Sequence, residues 1–413
     1  MKNSHSWFSV TLRACAWLAL LLLPMTADAT APPAEDEGQA VRWIALPFAA
    51  YDTDNGVLYG IHTEVLLGAQ DPETPPVRLS ALLRGSSRGN WHGRIRHVQA
   101  SGKRPGNMGY TLLGEWRHWD RANFFGIGNA SLGVPQSAIG EDGMSPAHHG
   151  LSHAILRGSA RQVIAPHLSL YGAVGLSWSR VEVYANSLLE DEAPFGVEGG
   201  FALEFTTGFL LDTTKSDSDP REGVRMEAGL RGAPPIPGGS GRWMGVLGRI
   251  AGYHAVSERV TLAGQIRVDR LWGQIPFYEM NCWGGQRIHW GFGGAMSLRG
   301  ALFGRWIGPG KLIANAEIRT DVGSHEAFGA LFDWQIVPFV DLGAVFGTAT
   351  REPGVLLFAP VHPSAGMGAR LHIDKSFLLR LDVGVGVDGT RMPSGATQSR
   401  PWIGTYVVFG QLF

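Results

Sequence analysis

Cysteine and charged side chains are both scarce in this chain of 413 residues. The sequence has two cysteines, and its charged residues make up 17% of the total, where about a quarter is usual in globular domains. Cys15 lies in an apolar N-terminal stretch, which leaves Cys282 alone and excludes an intrachain disulfide in the exported chain. The net charge is −1 and no Lys/Arg-rich block occurs, so nothing favours nucleic acid as a partner.

A long apolar run occurs at the N-terminus and not again. Lys2 and Arg13 flank the start of this region, the run ACAWLALLLLP follows, and the small residues ADA end it at 27–29. This order is typical of a secretory signal peptide, which we predict at 1–29. Beyond it, no uncharged apolar run reaches the roughly 18 residues that a transmembrane helix requires. The exported chain is therefore either soluble or a β-barrel.

Three later segments alternate between apolar and polar residues: VTLAGQIRVD at 260–269, KLIANAEIRTDV at 311–322 and FLLRLDVGVGVD at 377–388. One face of each segment is apolar, with residues such as Leu262, Leu312 and Leu381, while the other face carries charges of both signs. This period of two is typical of strands that face lipid on one side and water on the other. It favours the β-barrel.

Extending this count along the chain predicts about sixteen strands between residues 43 and 413, an even number as in single-chain outer-membrane barrels. The long connections at 120–149, 274–310 and 389–404 would lie on the outer side, and short turns such as 374–376 on the periplasmic side. A short periplasmic leader would occupy 30–42. We therefore predict an all-β, transmembrane antiparallel barrel, monomeric and surrounded by the lipids of the bacterial outer membrane.

The final residues TYVVFGQLF read as a last strand that closes the barrel. Phe409 and Phe413 fall on one face of that strand. A terminal phenylalanine in this setting predicts a signal that the outer-membrane assembly machinery reads during biogenesis.

The segment LRGALF at 298–303 follows the eleventh predicted strand. In this respect the chain resembles the BamA/TamA family, also called the bacterial surface antigen superfamily, and the resemblance spans residues 43–413. In that family a loop at this place folds back into the lumen and carries a hydrophobic-Arg-Gly-aromatic motif. Leu298, Arg299 and Gly300 match it, whereas Ala301 stands where an aromatic residue is usual.

The resemblance also implies partners on the barrel wall for this arginine. The family's Phe-x-Asp-x-Gly strand motif matches Phe339, Asp341 and Gly343, and its acidic residue on the twelfth strand matches Glu317. Counting in twos independently places both carboxylates on the polar, inward face, where a guanidinium could meet them bidentately. The network would either take part in the mechanism or only fill the lumen, and the same contacts would form in either case.

The family's full-length assembly proteins carry periplasmic repeat domains, and the stretch 30–42 is too short to hold one. We therefore expect a relative without those domains that assists insertion or translocation of a protein or lipid client, through a weak seam between its first and last strands. The identity of that client is not encoded in any motif.

The sequence is also compatible with two other functions. One is a passive or gated pore, whose selectivity would be set by the lumenal charges of Arg267, Asp269, Arg319 and Arg380. The other is a barrel-embedded lipid hydrolase, although no Gly-x-Ser-x-Gly elbow occurs. No motif calls for a cofactor or a metal, and the sequence does not predict an enzyme.

Overall fold

The computed structural model describes residues 41–68, 77–102, 104–129, 144–216, 219–327, 330–347, 361–373, 377–391, 397–409 and 412–413. The predicted signal peptide, most of the leader and the turn at 374–376 lie outside these residues. Eighteen strands lie in the described chain: β1 Arg42–Asp52, β2 Gly56–Leu67, β3 Val77–Ser86, β4 Trp91–Gln99, β5 Met108–Asn123, β6 His148–Ala165, β7 Leu168–Glu182, β8 Gly200–Asp212, β9 Gly223–Ala233, β10 Arg242–Ala255, β11 Val260–Gln274, β12 Cys282–Trp283, β13 His289–Trp290, β14 Gly310–Ala327, β15 Ala330–Phe346, β16 His362–Ile373, β17 Phe377–Arg391 and β18 Thr397–Phe409.

Sixteen of these strands form one antiparallel sheet that wraps into a nearly closed barrel. Each strand pairs with the next along the chain, except that β11 pairs with β14 because β12 and β13 form a separate two-stranded hairpin. The predicted fold class and strand number are therefore confirmed. β1 begins at Arg42, one residue before the predicted start of the barrel.

The two faces of the sheet differ as the alternation predicts. On β11, Leu262 and Ile266 are 43% and 52% exposed on the outside, whereas Asp269 is 1% exposed inside. Exposed apolar side chains recur in this way around the barrel, and such a surface is stable against lipid rather than water.

No helix among the described residues is both long enough and apolar enough to span a membrane.

The connection between β11 and β14, residues 275–309, folds into the barrel and is called the lumenal loop below. It begins with a 3-10 helix at Phe277–Asn281 and continues through the hairpin β12–β13. Its apolar side chains pack with two wall residues in a buried cluster made of Trp283, Phe292, Leu298, Ala301, Trp306, Ile313 and Val345. The interior of the barrel at this level is therefore a packed core.

Loops at the same end of the barrel pack on the start and end of the lumenal loop. A short helix, α1 Leu188–Glu192, is capped by the Ser187 side chain and contributes Leu189 to a second buried cluster with Phe124 and Phe277. The Gly128 N–H donates to the Ile307 carbonyl at 2.8 Å. This end, where the long connections lie, is called the loop end.

The last residues do not continue the outward face of β18. The prediction that Phe413 falls on that face of the strand is therefore wrong. β18 ends at Phe409, and Leu412 and Phe413 lie inside the barrel, 7% and 5% exposed. The Phe413 ring stacks on Tyr253 at 6.2 Å between centroids, and the Arg319 guanidinium lies 5.2 Å from it. A buried aromatic surface together with a nearby cation explains why the phenylalanine turns inward.

β1 and β18 face each other without forming a ladder in the described chain. Two hydrogen bonds join Thr53, just beyond the loop end of β1, to Thr405 within β18: the Thr53 N–H donates to the Thr405 carbonyl at 3.0 Å, and the Thr405 N–H donates to Thr53 Oγ1 at 2.8 Å. We call this junction the seam.

Candidate functional site

Arg299 lies at the centre of the barrel, on the lumenal loop, with no exposed surface. Its Nε and Nη2 donate to the two carboxylate oxygens of Asp341 at 2.9 and 2.8 Å, and its Nη1 donates to Glu317 at 2.8 Å. The Arg299 backbone N–H also reaches Asp341, at 3.1 Å. The fork geometry of a guanidinium suits such a bidentate contact, so the loop is fixed to β14 and β15 at one point.

More charged groups surround this pair than the sequence suggested. Asp382 on β17 lies 3.4 Å from Arg299 and accepts a 2.6 Å hydrogen bond from Arg370 on β16. Arg319 lies 2.9 Å from Glu317, and Arg380 lies 3.4 Å from Asp382. The charges of this buried network nearly balance, which is what makes their burial tolerable. It joins the loop to four consecutive strands, β14 to β17.

Aromatic and amide groups complete the surroundings of the Arg299 guanidinium. The Phe339 ring packs against it, with the Arg299 Cζ atom 3.5 Å from the ring centroid. Asn315 donates to Asp341 at 2.7 Å and to the Ser297 carbonyl at 2.8 Å. The strand motif therefore supplies a carboxylate and a ring two residues apart on one face, both directed at the same arginine.

The glycine of the strand motif has a packing role. A Cβ atom on Gly343 would lie 2.8 Å from the Phe292 ring and 3.3 Å from Leu298. Only a residue without a side chain leaves room there for these two loop residues. Phe292, which is fully buried, contributes an aromatic ring near the motif, although Ala301 itself does not.

Gly300 contacts β17 through its backbone. Its φ of +83° is unfavourable for other residues, and a Cβ atom there would lie 2.8 Å from the backbone of β17 at Gly384, Val385 and Gly386. The Tyr406 hydroxyl accepts from the Gly300 N–H and donates to the Ala301 carbonyl, each at 3.1 Å. Since Tyr406 lies on β18, the loop tip is bonded to one edge of the seam.

The other edge of the seam is bonded to the loop through Asp54. This residue lies in the turn between β1 and β2 and accepts a 3.0 Å hydrogen bond from the Phe303 N–H. Burial, and next the nearby Asp52 carboxylate, raise the pKa of Asp54 from 3.8 to about 7. The lumenal loop therefore contacts β18 and the turn that follows β1.

This shift predicts a pH dependence of the protein's stability. Because the folded state favours protonated Asp54, its contribution to stability is fully present below pH 3.8 and declines as the pH rises towards 7. We expect the free energy of unfolding in urea to fall over this interval, and the Asp54→Asn variant to lack that part of the fall. An identical pH profile for the two proteins would contradict the assignment.

Two of the charges proposed to line a pore, Arg267 and Asp269, are bonded to the loop. Asp269 accepts from the Gly284 N–H at 2.8 Å and lies 3.0 Å from Arg231, while Arg267 donates to the Gly284 carbonyl at 2.8 Å. A cavity beside the loop, lined in part by Arg249 and His289, has a volume of about 10 Å³, enough for about one water molecule.

The structure thus brings Arg299, Glu317, Asp341 and Phe339 together, with Leu298, Gly300 and Gly343 packed around them. It also adds residues that the sequence did not single out: Asp382, Arg370, Tyr406 and Asp54. Phe413 lies elsewhere in the lumen, and Phe409 is the last residue of β18. The charge alternation on β17 signalled an inward Asp382, but nothing in the sequence marked Tyr406 or Asp54.

These features define a sixteen-stranded transmembrane barrel of the outer-membrane type, with its lumen filled by a loop. No protein-family model and no curated protein matches the chain. Among solved structures, the chain is similar to BamA from Haemophilus ducreyi lacking POTRA domains 1–3, with a TM-score of 0.54 and 12% identity over 90% of this chain and 70% of that one. It is also similar to CdiB from Escherichia coli, with a TM-score of 0.56 and 9% identity over 89% of this chain and 62% of that one.

The chain therefore spans less than two thirds of the length of that CdiB chain. These likenesses show the fold that the resemblance to the BamA/TamA family predicts. Identities this low concern the architecture of the barrel and leave its activity to be argued from the site.

Proposed function

We propose that this barrel assists the insertion or translocation of protein or lipid at the outer membrane, as its resemblance to the BamA/TamA family implies. The observation that carries the proposal is the seam. In the described chain, every other pair of neighbouring barrel strands is joined by a regular ladder, whereas β1 and β18 are joined by Thr53 and Thr405. Two hydrogen bonds cost far less to open than a ladder does.

The lumenal loop supports the same function because it touches both edges of this seam. Tyr406 bonds its tip to β18, and Asp54 beside β1 accepts from Phe303. The arginine network fixes the same loop to β14–β17, the strands that lie next to β18 in the sheet. A shift of the loop would therefore change the contacts of both edge strands together, which is a physical route from the lumen to the seam.

A disulfide across the seam tests this function. In a Cys282→Ser background, Thr53→Cys and Thr405→Cys introduce thiols at the paired seam positions. We expect oxidation to slow insertion of an unfolded small outer-membrane barrel into liposomes at least tenfold, and reduction to restore the rate. The measured quantity is the rate at which the inserted client becomes protected from protease.

The control is a second cysteine pair within an ordinary ladder. Thr63 and Ala81 are direct partners on β2 and β3, so Thr63→Cys with Ala81→Cys cross-links the wall and leaves the seam unchanged. Equal rates for the oxidised and reduced seam pair, or equal slowing by the control pair, would refute a role for the seam.

A gated pore is the second candidate function, favoured by the charged wall around the lumenal loop. With the lumenal loop in place, we expect the refolded protein to be nearly closed in single-channel recordings, and Arg299→Ala to increase the open probability. Arg270→Ala, which alters an arginine stacked on Trp272 outside the network, is the matched control. A wild type that conducts freely would show that the loop does not act as a plug.

A further inference from the structure

On the outward face of the barrel, at the loop end, three side chains form a continuous chain of hydrogen bonds. The Ser152 Oγ atom lies 2.8 Å from His118 Nδ1, and His118 Nε2 lies 2.7 Å from Asp120 Oδ1. His118 and Asp120 share a face of β5 because they are two residues apart, and Ser152 is the residue of β6 paired with His118. A hydroxyl, an imidazole and a carboxylate in this order form the constellation that activates serine in esterases, here with the roles of the two ring nitrogens exchanged relative to the Ser-His-Asp proteases.

We propose that Ser152, His118 and Asp120 form a second functional site, an esterase that hydrolyses the acyl ester bonds of membrane lipids. The site is separate from the arginine network, which lies inside the barrel. Its groups are accessible from outside, with the side chains of His118 and Asp120 exposed by 29% and 50%. This activity does not depend on the function proposed for the seam.

The substrate class follows from the depth of the site. One step further from the loop end, the same outward face carries Trp116 on β5 and Trp178 on β7, with Ala154 of β6 between them. The Trp116 and His118 rings are stacked, 6.2 Å apart and 7° from parallel. Because tryptophans on a barrel exterior mark the level of the lipid headgroups, the site lies beside the ester bonds of the bilayer.

A cationic residue is paired with the nucleophile on the neighbouring strand. Arg180 on β7 is the residue paired with Ser152 on the side away from His118, and it is exposed on the same outward face. Across β5, β6 and β7, the row therefore consists of the base His118, the nucleophile Ser152 and the guanidinium of Arg180. A positive group beside the attacked carbonyl stabilises the oxyanion that forms there.

Asp120 is held in place by the turn between β3 and β4. Gly89 in this turn has a φ of +78°, and a Cβ atom on it would lie 1.7 Å from Asp120 Oδ2. The carboxylate therefore occupies the space that a side chain at residue 89 would fill. Asp120 is a positioning residue, which orients the imidazole so that Nδ1 is free to accept a proton.

The reaction uses water as its second substrate. Ser152 Oγ attacks the ester carbonyl carbon and its proton passes to His118 Nδ1. The carbon–oxygen bond to the glycerol side then breaks, and His118 returns the proton to that oxygen. Water attacks the resulting acyl-serine, again giving its proton to His118, and fatty acid leaves as Ser152 recovers its hydrogen.

A second serine–histidine pair provides a matched control. Inside the barrel, His153 Nδ1 lies 3.0 Å from Ser179 Oγ, and both side chains are buried. Ser179→Ala therefore removes a comparable hydrogen bond that faces the lumen instead of lipid.

The test uses the refolded full chain in mixed micelles of a nonionic detergent and phosphatidylglycerol, with fatty acid release as the readout. We expect turnover by the wild type, a loss of about a hundredfold or more in kcat for Ser152→Ala and for His118→Asn, and no change for Ser179→Ala. A fluorophosphonate should label Ser152, as located by peptide mass spectrometry, and His118→Asn should abolish the labelling. Near-native β-barrel circular dichroism confirms that each variant has folded.

Asp120 requires a readout that separates positioning from binding. Asp120→Asn should lower kcat about tenfold with KM unchanged, and Asp120→Glu should recover part of the loss. A folded wild type that neither releases fatty acid faster than Ser152→Ala nor reacts with the fluorophosphonate would overturn the proposal. Labelling that is spread over several serines and is insensitive to His118→Asn would overturn it as well.

Discussion

Replacing Arg299 by alanine is expected to lower the free energy of unfolding by about 3–5 kcal/mol, as when one partner of a buried ion pair is lost. Arg299 bonds to Asp341 and Glu317 and has no exposed surface. Its removal leaves both carboxylates buried with fewer cations around them. Urea unfolding in detergent, followed by tryptophan fluorescence, measures the change, and limited proteolysis reports whether the lumenal loop is released.

A partly exposed ion pair between β2 and β3 serves as the control. Arg78 and Glu64 are 3.2 Å apart, but the Arg78 side chain is 54% exposed. Arg78→Ala should therefore cost less than about 1 kcal/mol. Equal losses in the two variants, or unchanged protease resistance of the loop in Arg299→Ala, would mean that the central network does not hold the loop.

The second large effect is expected from Gly300→Ala. The side chain would force an unfavourable positive φ, and its Cβ atom would lie 2.8 Å from the backbone of β17, where nothing flexible can give way. The left-handed conformation and the overlap together should cost about 3 kcal/mol. The melting temperature and the rate of cleavage of the lumenal loop measure the loss.

Gly252 is the matched control because a Cβ atom there would have no other atom within 4 Å. Gly252→Ala should leave the melting temperature nearly unchanged. If Gly300→Ala also left the melting temperature unchanged, the loop tip would not contact β17.

The sequence predicted the barrel well because the evidence for it is local. On each strand, alternation decides which residues face lipid, and Leu262 outside with Asp269 inside follow that rule. The same count places Glu317 and Asp341 inward. Their pairing with Arg299 was implied by the family motif. The alternation of residues determines which side of the sheet a side chain faces, but it does not determine which residue that side chain contacts.

Other contacts depend on register and on the path of loops, which local patterns do not determine. Ser152 meets His118 because β5 and β6 pair in one particular register across a connection of more than twenty residues. Tyr406 reaches the loop tip from a strand about a hundred residues away. Counting in twos along β18 places Phe413 on the same face as Phe409. In the structure, Phe413 instead lies inside the barrel against the Tyr253 ring and the Arg319 guanidinium.

The backbone contact of Gly300 with Gly384 and Gly386 also bears on how such proteins diverge. A junction made of main-chain atoms requires no particular chemistry from the side chains around it, so substitutions elsewhere on β17 leave it intact. Only the small set of positions that must lack a side chain, or must carry one buried charge, is constrained. Drift at the remaining positions can therefore erase overall sequence similarity long before it alters the architecture, which is consistent with 9–12% identity to solved barrels of the same fold.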